Sequence, residues 1–304
     1  MGLFSIVKAN KAHKLQQQGR TDEAQALYEE AFGEGLSDPR YVLAYAMLLL
    51  RKGEYAKAKD LLVKYQKAPG MTPDQRNSLL IDYAACCFRL GDLDKGVRVL
   101  EQQARKNENG LLYQTLGYLY VEKYDLKNRP DFEAMEKKEQ EEAALQEADE
   151  GSEEETAPEE EGSADDGSSP EEQTGEAEGK WGAPELSKKS PREEWEEGVA
   201  RAEEYLNKAL EYDDEDPICL DNMGQFVYRV KGDTAGAREW FEKAIAIKDT
   251  QIDTLYFLSR YDLEEGNRDA ALEKLEKTLK GRFSPLNYCT KEQVEGEISR
   301  LKGE

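Results

Sequence analysis

Gly19–Ala31 reads GRTDEAQALYEEA, and Gly53–Tyr65 reads GEYAKAKDLLVKY. Each is a glycine, a turn, then a small residue with further residues four and seven places on. The four-then-three spacing recurs along the chain as Ala24/Tyr28/Ala31, Ala58/Leu62/Tyr65 and a weaker Gly96/Leu100/Gln103. It returns later as Ala202/Leu206/Ala209, Ala237/Phe241/Ala244 and Ala271/Leu275/Thr278. On an α-helix these offsets share one face, and the small first residue lets a neighbouring helix come close.

Each of these predicted helices follows another that carries a small residue of its own: Ala12, Ala46, Ala84, Gly117, Gly224 and Ser259. Small residue to small residue is 12 or 13 positions in every pair but one, and 85 from Gly117 to Ala202. A period of about 34 residues built from two antiparallel helices resembles the tetratricopeptide repeat. Leu116-Gly117 with Tyr120, and Met223-Gly224 with Phe241 and Ala244, carry the resemblance. Inter-repeat prolines at Pro39, Pro73, Pro217 and Pro285 add to it. It covers roughly residues 3–124 and 193–285. The resemblance implies an all-α chain, a right-handed α-solenoid of about six helix-turn-helix repeats. It also implies a protein-protein interaction scaffold.

The 85-residue spacing places an insert inside the fourth hairpin. Between Glu139 and Gly179 stand eighteen Asp and Glu residues and no Lys, Arg or His, in a chain of net charge -23. Such a stretch has too little apolar surface to offset its ordering entropy, so it is expected to be disordered. Asp131–Ala148 is rich enough in Glu, Lys, Ala and Gln to extend as a solvated helix. Trp181 reads either as a docking handle or as packing on the next helix. Neither half-repeat buries its apolar face alone, so the flanking helices should pair across the insert into one solenoid. Loop closure tolerates this, at ~0.6 kcal/mol per doubling of length. The expected divisions are residues 1–124 (repeats one to three and half of four), 125–192 (insert), 193–285 (the remaining repeats) and 286–304 (a capping helix). The cap is read from Thr290-x-x-Gln293, a capping box, followed by the stripe Val294, Ile298 and Leu301.

Composition excludes several classes of function. A pI near 4.6 argues against nucleic acid as a partner, because phosphate binding needs clustered Lys and Arg. Cys86, Cys87, Cys219 and Cys289 form no Cys-x-x-Cys pair, which fits buried thiols in a reducing, cytoplasmic setting. The longest apolar run, Tyr41–Leu50, is ten residues, short of the ~18 that suggest a membrane span. There is no signal-peptide layout, and Ile6 stands where a myristoylation motif needs Ser or Thr. Leu3, Phe4, Ile6 and Val7 followed by Lys8, Lys11 and Lys14 give an alternative: a peripheral membrane adaptor held by an amphipathic N-terminal helix. The plainer reading is the first helix of repeat one.

No catalytic constellation emerges. His13 is the only histidine, and no glycine-rich phosphate loop or His-Glu-x-x-His is present. The run Asp213–Asp216 lacks the glycine and distal acid of a calcium loop, with Ile218 and Gly224 in those places. No enzyme activity, cofactor or metal is expected.

The resemblance instead implies a groove lined by the first helices. Counting the small residue as position eight, positions five, nine, twelve and thirteen face it. The residues singled out are Met47, Leu50 and Arg51 in repeat two, and Ile81, Phe88 and Arg89 in repeat three. Repeat four gives Gln114 and Tyr118, repeat five Gln225, Tyr228 and Arg229, and repeat six Tyr256 and Arg260. Aromatic residues and arginine are common binding anchors. Some relatives clamp a C-terminal carboxylate with Lys and Asn at positions five and nine. Here Ala9 and His13, or Ile81 and Ala85, replace them, so that clamp is absent. The expected partner is a peptide or a partner helix, with the row Arg51/Arg89/Arg229 open to it and to the acidic insert.

Overall fold

The computed structural model describes residues 3–138, 141 and 189–303. The disorder expected of the acidic run beyond residue 141, and the role of Trp181, lie outside the described residues. The chain divides into two compact units, Met1–Asn128 with Gly198–Glu304, and Arg129–Glu197.

Among the described residues every regular element is helical. Repeat one is α1 (Leu3–Gln17) and α2 (Thr21–Gly33), repeat two α3 (Pro39–Arg51) and α4 (Tyr55–Tyr65), repeat three α5 (Pro73–Arg89) and α6 (Leu93–Ala104). Repeat four pairs α7 (Gly110–Lys123) with α8 (Pro191–Tyr212). Then come α9 (Pro217–Arg229), α10 (Thr234–Ile247), α11 (Ile252–Glu264), α12 (Arg268–Thr278) and α13 (Lys291–Lys302).

Local chemistry sets the boundaries. Asp38, Thr72 and Asp216 cap α3, α5 and α9, each with proline in the first helical turn, where its missing N–H costs nothing. Within repeat two, Gly53 takes φ +74°, and the Glu54 amide donates back to the Leu49 carbonyl at 2.9 Å. That left-handed residue ends α3 and reverses the chain into α4.

The small residues of the sequence pattern sit where helices touch. Ala12, Ala46, Ala84 and Ser259 are fully buried, as are Ala24, Ala58, Ala202, Ala237 and Ala271. At Gly224 an added Cβ would lie 2.8 Å from the Phe241 ring, so only glycine admits that crossing.

α7 and α8 pack on each other as a hairpin although the insert separates them in sequence. Gly117 meets Leu206 so closely that a Cβ would lie 2.6 Å from Leu206 Cδ2. Tyr205 of α8 lies 6.0 Å from the Tyr113 ring and 5.5 Å from that of Tyr120. Glu101 of α6 ties both together, accepting from Tyr120 Oη at 2.7 Å and Tyr205 Oη at 3.3 Å. In the smaller unit, residues 132–138 are helical. Its Phe132 is buried between the Arg129 and Arg192 guanidiniums, edge-on to Trp195.

α1 packs as the first helix of repeat one, burying Ser5, Ala9, Ala12 and Leu15, while Phe4 and Val7 stay exposed. At the other end the Thr290–Gln293 capping box forms. Val294, Ile298 and Leu301 close the last core cluster against Ile252, Tyr256 and Leu275. All four cysteines are buried free thiols.

Candidate functional site

Residues 284–290, which join α12 to α13, run against the face formed by α5, α9 and α11. In the sequence this stretch shows only an inter-repeat proline, Pro285, and the capping box that begins at Thr290. Asn287 first folds it into a turn, its Oδ1 accepting from the Ser284 amide at 2.7 Å and its own amide donating to the Ser284 carbonyl at 3.0 Å. Two side chains then hold the main chain. Arg89 Nε donates to the Pro285 carbonyl at 2.6 Å, and its Nη2 to the Asn287 carbonyl at 2.9 Å. From the other side, Asp253 at the start of α11 accepts from Asn287 Nδ2 at 2.9 Å, the Tyr288 amide at 3.0 Å and the Cys289 amide at 3.3 Å.

The side chains of the segment have seats. Leu286 packs against the core cluster that contains Ile81 and Tyr118, with Phe88 alongside. The Tyr288 ring stands 5.0 Å from Phe257 and 5.9 Å from Tyr256. The Arg229 guanidinium lies 4.2 Å from its centroid. Part of the face is thus filled from within the chain.

This changes the expected binding strip. Met47, Phe88, Arg89, Tyr228 and Arg260 are half-buried, and Arg51 is exposed. Leu50, Ile81, Gln114, Tyr118, Gln225, Arg229 and Tyr256 are buried and are not solvent-facing anchors. Gln114 donates to Asp216, and Gln225 donates to Asp221 while accepting from Arg229. Tyr256 donates to Glu297 at 3.0 Å and accepts from Arg260. The Tyr118 hydroxyl is buried with no hydrogen-bond partner among the described residues.

The open arginine row is the clearest correction. Arg229 is 5% exposed, donating from Nη1 to Glu122 at 2.7 Å and from Nε to Asp125 at 2.8 Å. Burial works against its charge, but Glu122 and Asp125 outweigh it and keep the guanidinium protonated. Arg89 is committed to the two carbonyls. Of the row, Arg51 alone faces solvent uncommitted, with no hydrogen bond or ion pair to the described residues.

Asp253 was missed because carboxylates are common in this chain and nothing in its spacing marks it. It sits fully buried near Asp221, which accepts from Thr254 at 2.5 Å and Gln225 at 2.7 Å. Burial first, then the Asp253 charge, pushes Asp221 up to about 7. Burial likewise raises Asp253, while the Asn287, Tyr288 and Cys289 donors pull it back. One signal for the segment was legible: Phe283, Leu286, Tyr288 and Cys289 make an interhelical connection too apolar to lie in water.

Residues 10–71 match the tetratricopeptide-repeat family. The fold is a tetratricopeptide-repeat solenoid. TTC0263, a thermophilic tetratricopeptide-repeat protein of Thermus thermophilus, superposes at TM-score 0.54 with 14% identity, over 88% of this chain and 100% of that one. PilW, a type IV pilus biogenesis factor, gives 0.53 with 12% identity, over 98% and 100%. The anaphase-promoting-complex hetero-tetramer Cut9–Hcn1 gives 0.53 with 14% identity, over 95% of this chain and 41% of that one. No curated protein matches the chain by sequence.

Proposed function

We propose that the chain is a non-catalytic, cytoplasmic protein-interaction scaffold whose first-helix face reads an extended partner segment. The observation that carries this is the way residues 285–289 are held. Arg89 addresses two main-chain carbonyls and Asp253 two main-chain amides, which is recognition of a peptide backbone irrespective of its sequence. Specificity comes from the seats taken by Leu286 and Tyr288. A partner segment with an aliphatic and an aromatic residue two apart meets the same groups by exchanging with the internal segment. The Cut9–Hcn1 assembly supports the use of this fold beside a partner chain.

A labelled peptide of residues 282–290, with Ser in place of Cys289, tests the reading. The parent chain should not take it up, because the tethered copy wins by effective concentration, of millimolar order for a short tether. A Leu286→Gly/Tyr288→Gly chain, its own copy weakened, should bind it saturably. Absence of binding to the double variant, with its helical circular dichroism intact, would contradict the proposal.

A further inference from the structure

A cavity of about 330 Å³ lies beside the Arg89 end of the internal segment. Its wall combines the end of α3 and the following turn, Arg89 of α5, Phe283 and Pro285 of the segment, and the start of α13. The size is that of a small ligand pocket.

Two guanidiniums, Arg51 and Arg89, line the cavity, and a third, Arg282, stands beside Arg51; none is bonded to a carboxylate. Arg89 spends its donors on the neutral carbonyls of Pro285 and Asn287, which leaves its charge whole. Arg51 and Arg282 bond to none of the described residues. The two lie close enough to repel: burial first, then Arg282, lowers the proton affinity of Arg51.

The surrounding charges do not cancel this surplus. Lys52 is already held by Asp22 at 2.6 Å and Glu54 at 3.5 Å. Lys291 lies 3.5 Å from Glu295, and Glu292, held ionised by its own amide and by Thr290 at the start of α13, offsets one positive charge of the wall. Asp82 acts on Arg51 from within the α5 face, but burial favours its neutral form, and its carboxyl makes no hydrogen bond to the described residues. In a chain of net charge -23, a wall that sets Arg51, Lys52, Arg89 and Lys291 against Glu292 alone is not the electrostatic default.

We propose that this cavity is an anion site that takes the carboxylate side chains of an acidic partner segment. The planar fork of a guanidinium matches a carboxylate edge to edge, and the volume suits several carboxylates better than one small tetrahedral ion. The position fits as well. The cavity adjoins the held segment, whose Phe283 and Pro285 form part of its wall, so an acidic segment reaches it with residues 284–290 in place. Remote acidic residues do not forbid this, because their field is screened over ~8 Å at physiological ionic strength.

The test titrates the full-length chain at fixed ionic strength with labelled hexaglutamate, with hexaglutamine, and separately with inorganic phosphate. Hexaglutamate should bind and hexaglutamine should not. Arg51→Gln/Arg282→Gln should weaken hexaglutamate by about tenfold or more, with the melting temperature read alongside because Arg51 also faces the buried Asp82. A shift of the melting temperature is separable from lost affinity, and the internal segment, held by Arg89, is left intact. The proposal is overturned by no binding up to about 1 mM, a ceiling of ~4 kcal/mol. It is equally overturned by binding that the double variant retains, or by phosphate binding more tightly than hexaglutamate.

Discussion

Arg51 and Arg229 occupy equivalent positions on α3 and α9 and meet opposite fates, one free in solvent and the other sealed between two carboxylates. Periodicity identified the face but not what the adjacent repeat would bring to it. The pairing was legible all the same: Glu122 stands at the same position one repeat earlier, and stacking makes equivalent positions neighbours. Asp125, just past the end of α7, was not legible because no repeat register covers it. Asp82 gives the prediction at this scale. Burial pushes its carboxyl up to about 7 against an ordinary value of 3.8. With the folded value raised, the contribution to stability is complete below about pH 4 and is lost as pH rises towards 7. Asp82→Asn removes that loss. Urea unfolding should therefore show the variant gaining about 3 kcal/mol on the parent between about pH 4.5 and about pH 8. A gain that does not grow with pH would mean that this carboxyl is not buried.

The α7–α8 hairpin shows what element-scale reading achieves. A small residue on each helix, Gly117 and Ala202, told that the two belong together across the insert, and Gly117 against Leu206 is the close approach that follows. The 284–290 segment shows the limit: it has no helical period, and its place depends on tertiary partners nearly two hundred residues away, as in the Arg89–Pro285 bond at a separation of 196. A double-mutant cycle tests the hairpin. Gly117→Ala should cost about 1–3 kcal/mol by overpacking and Leu206→Ala about 2–5 kcal/mol by cavity formation. The double variant should lose clearly less than their sum, because the smaller residue 206 makes room for the new methyl. Costs additive to within ~0.5 kcal/mol would show that the two side chains do not touch.

At the scale of the whole molecule, repeats three, five and six contribute to one face, and the chain itself supplies a segment for it. Arg89 of α5 and Asp253 of α11 grip the same stretch of main chain, which ties the early repeats to the last one. The account stands or falls on that grip. Amide hydrogen exchange of the full-length chain measures it directly, because the Tyr288 and Cys289 amides donate to the buried Asp253 carboxylate. The account predicts exchange at these two amides slower by about a hundredfold or more than in an isolated peptide of the same sequence. Exchange at the rate of the free peptide would contradict it, for the face would then stand empty.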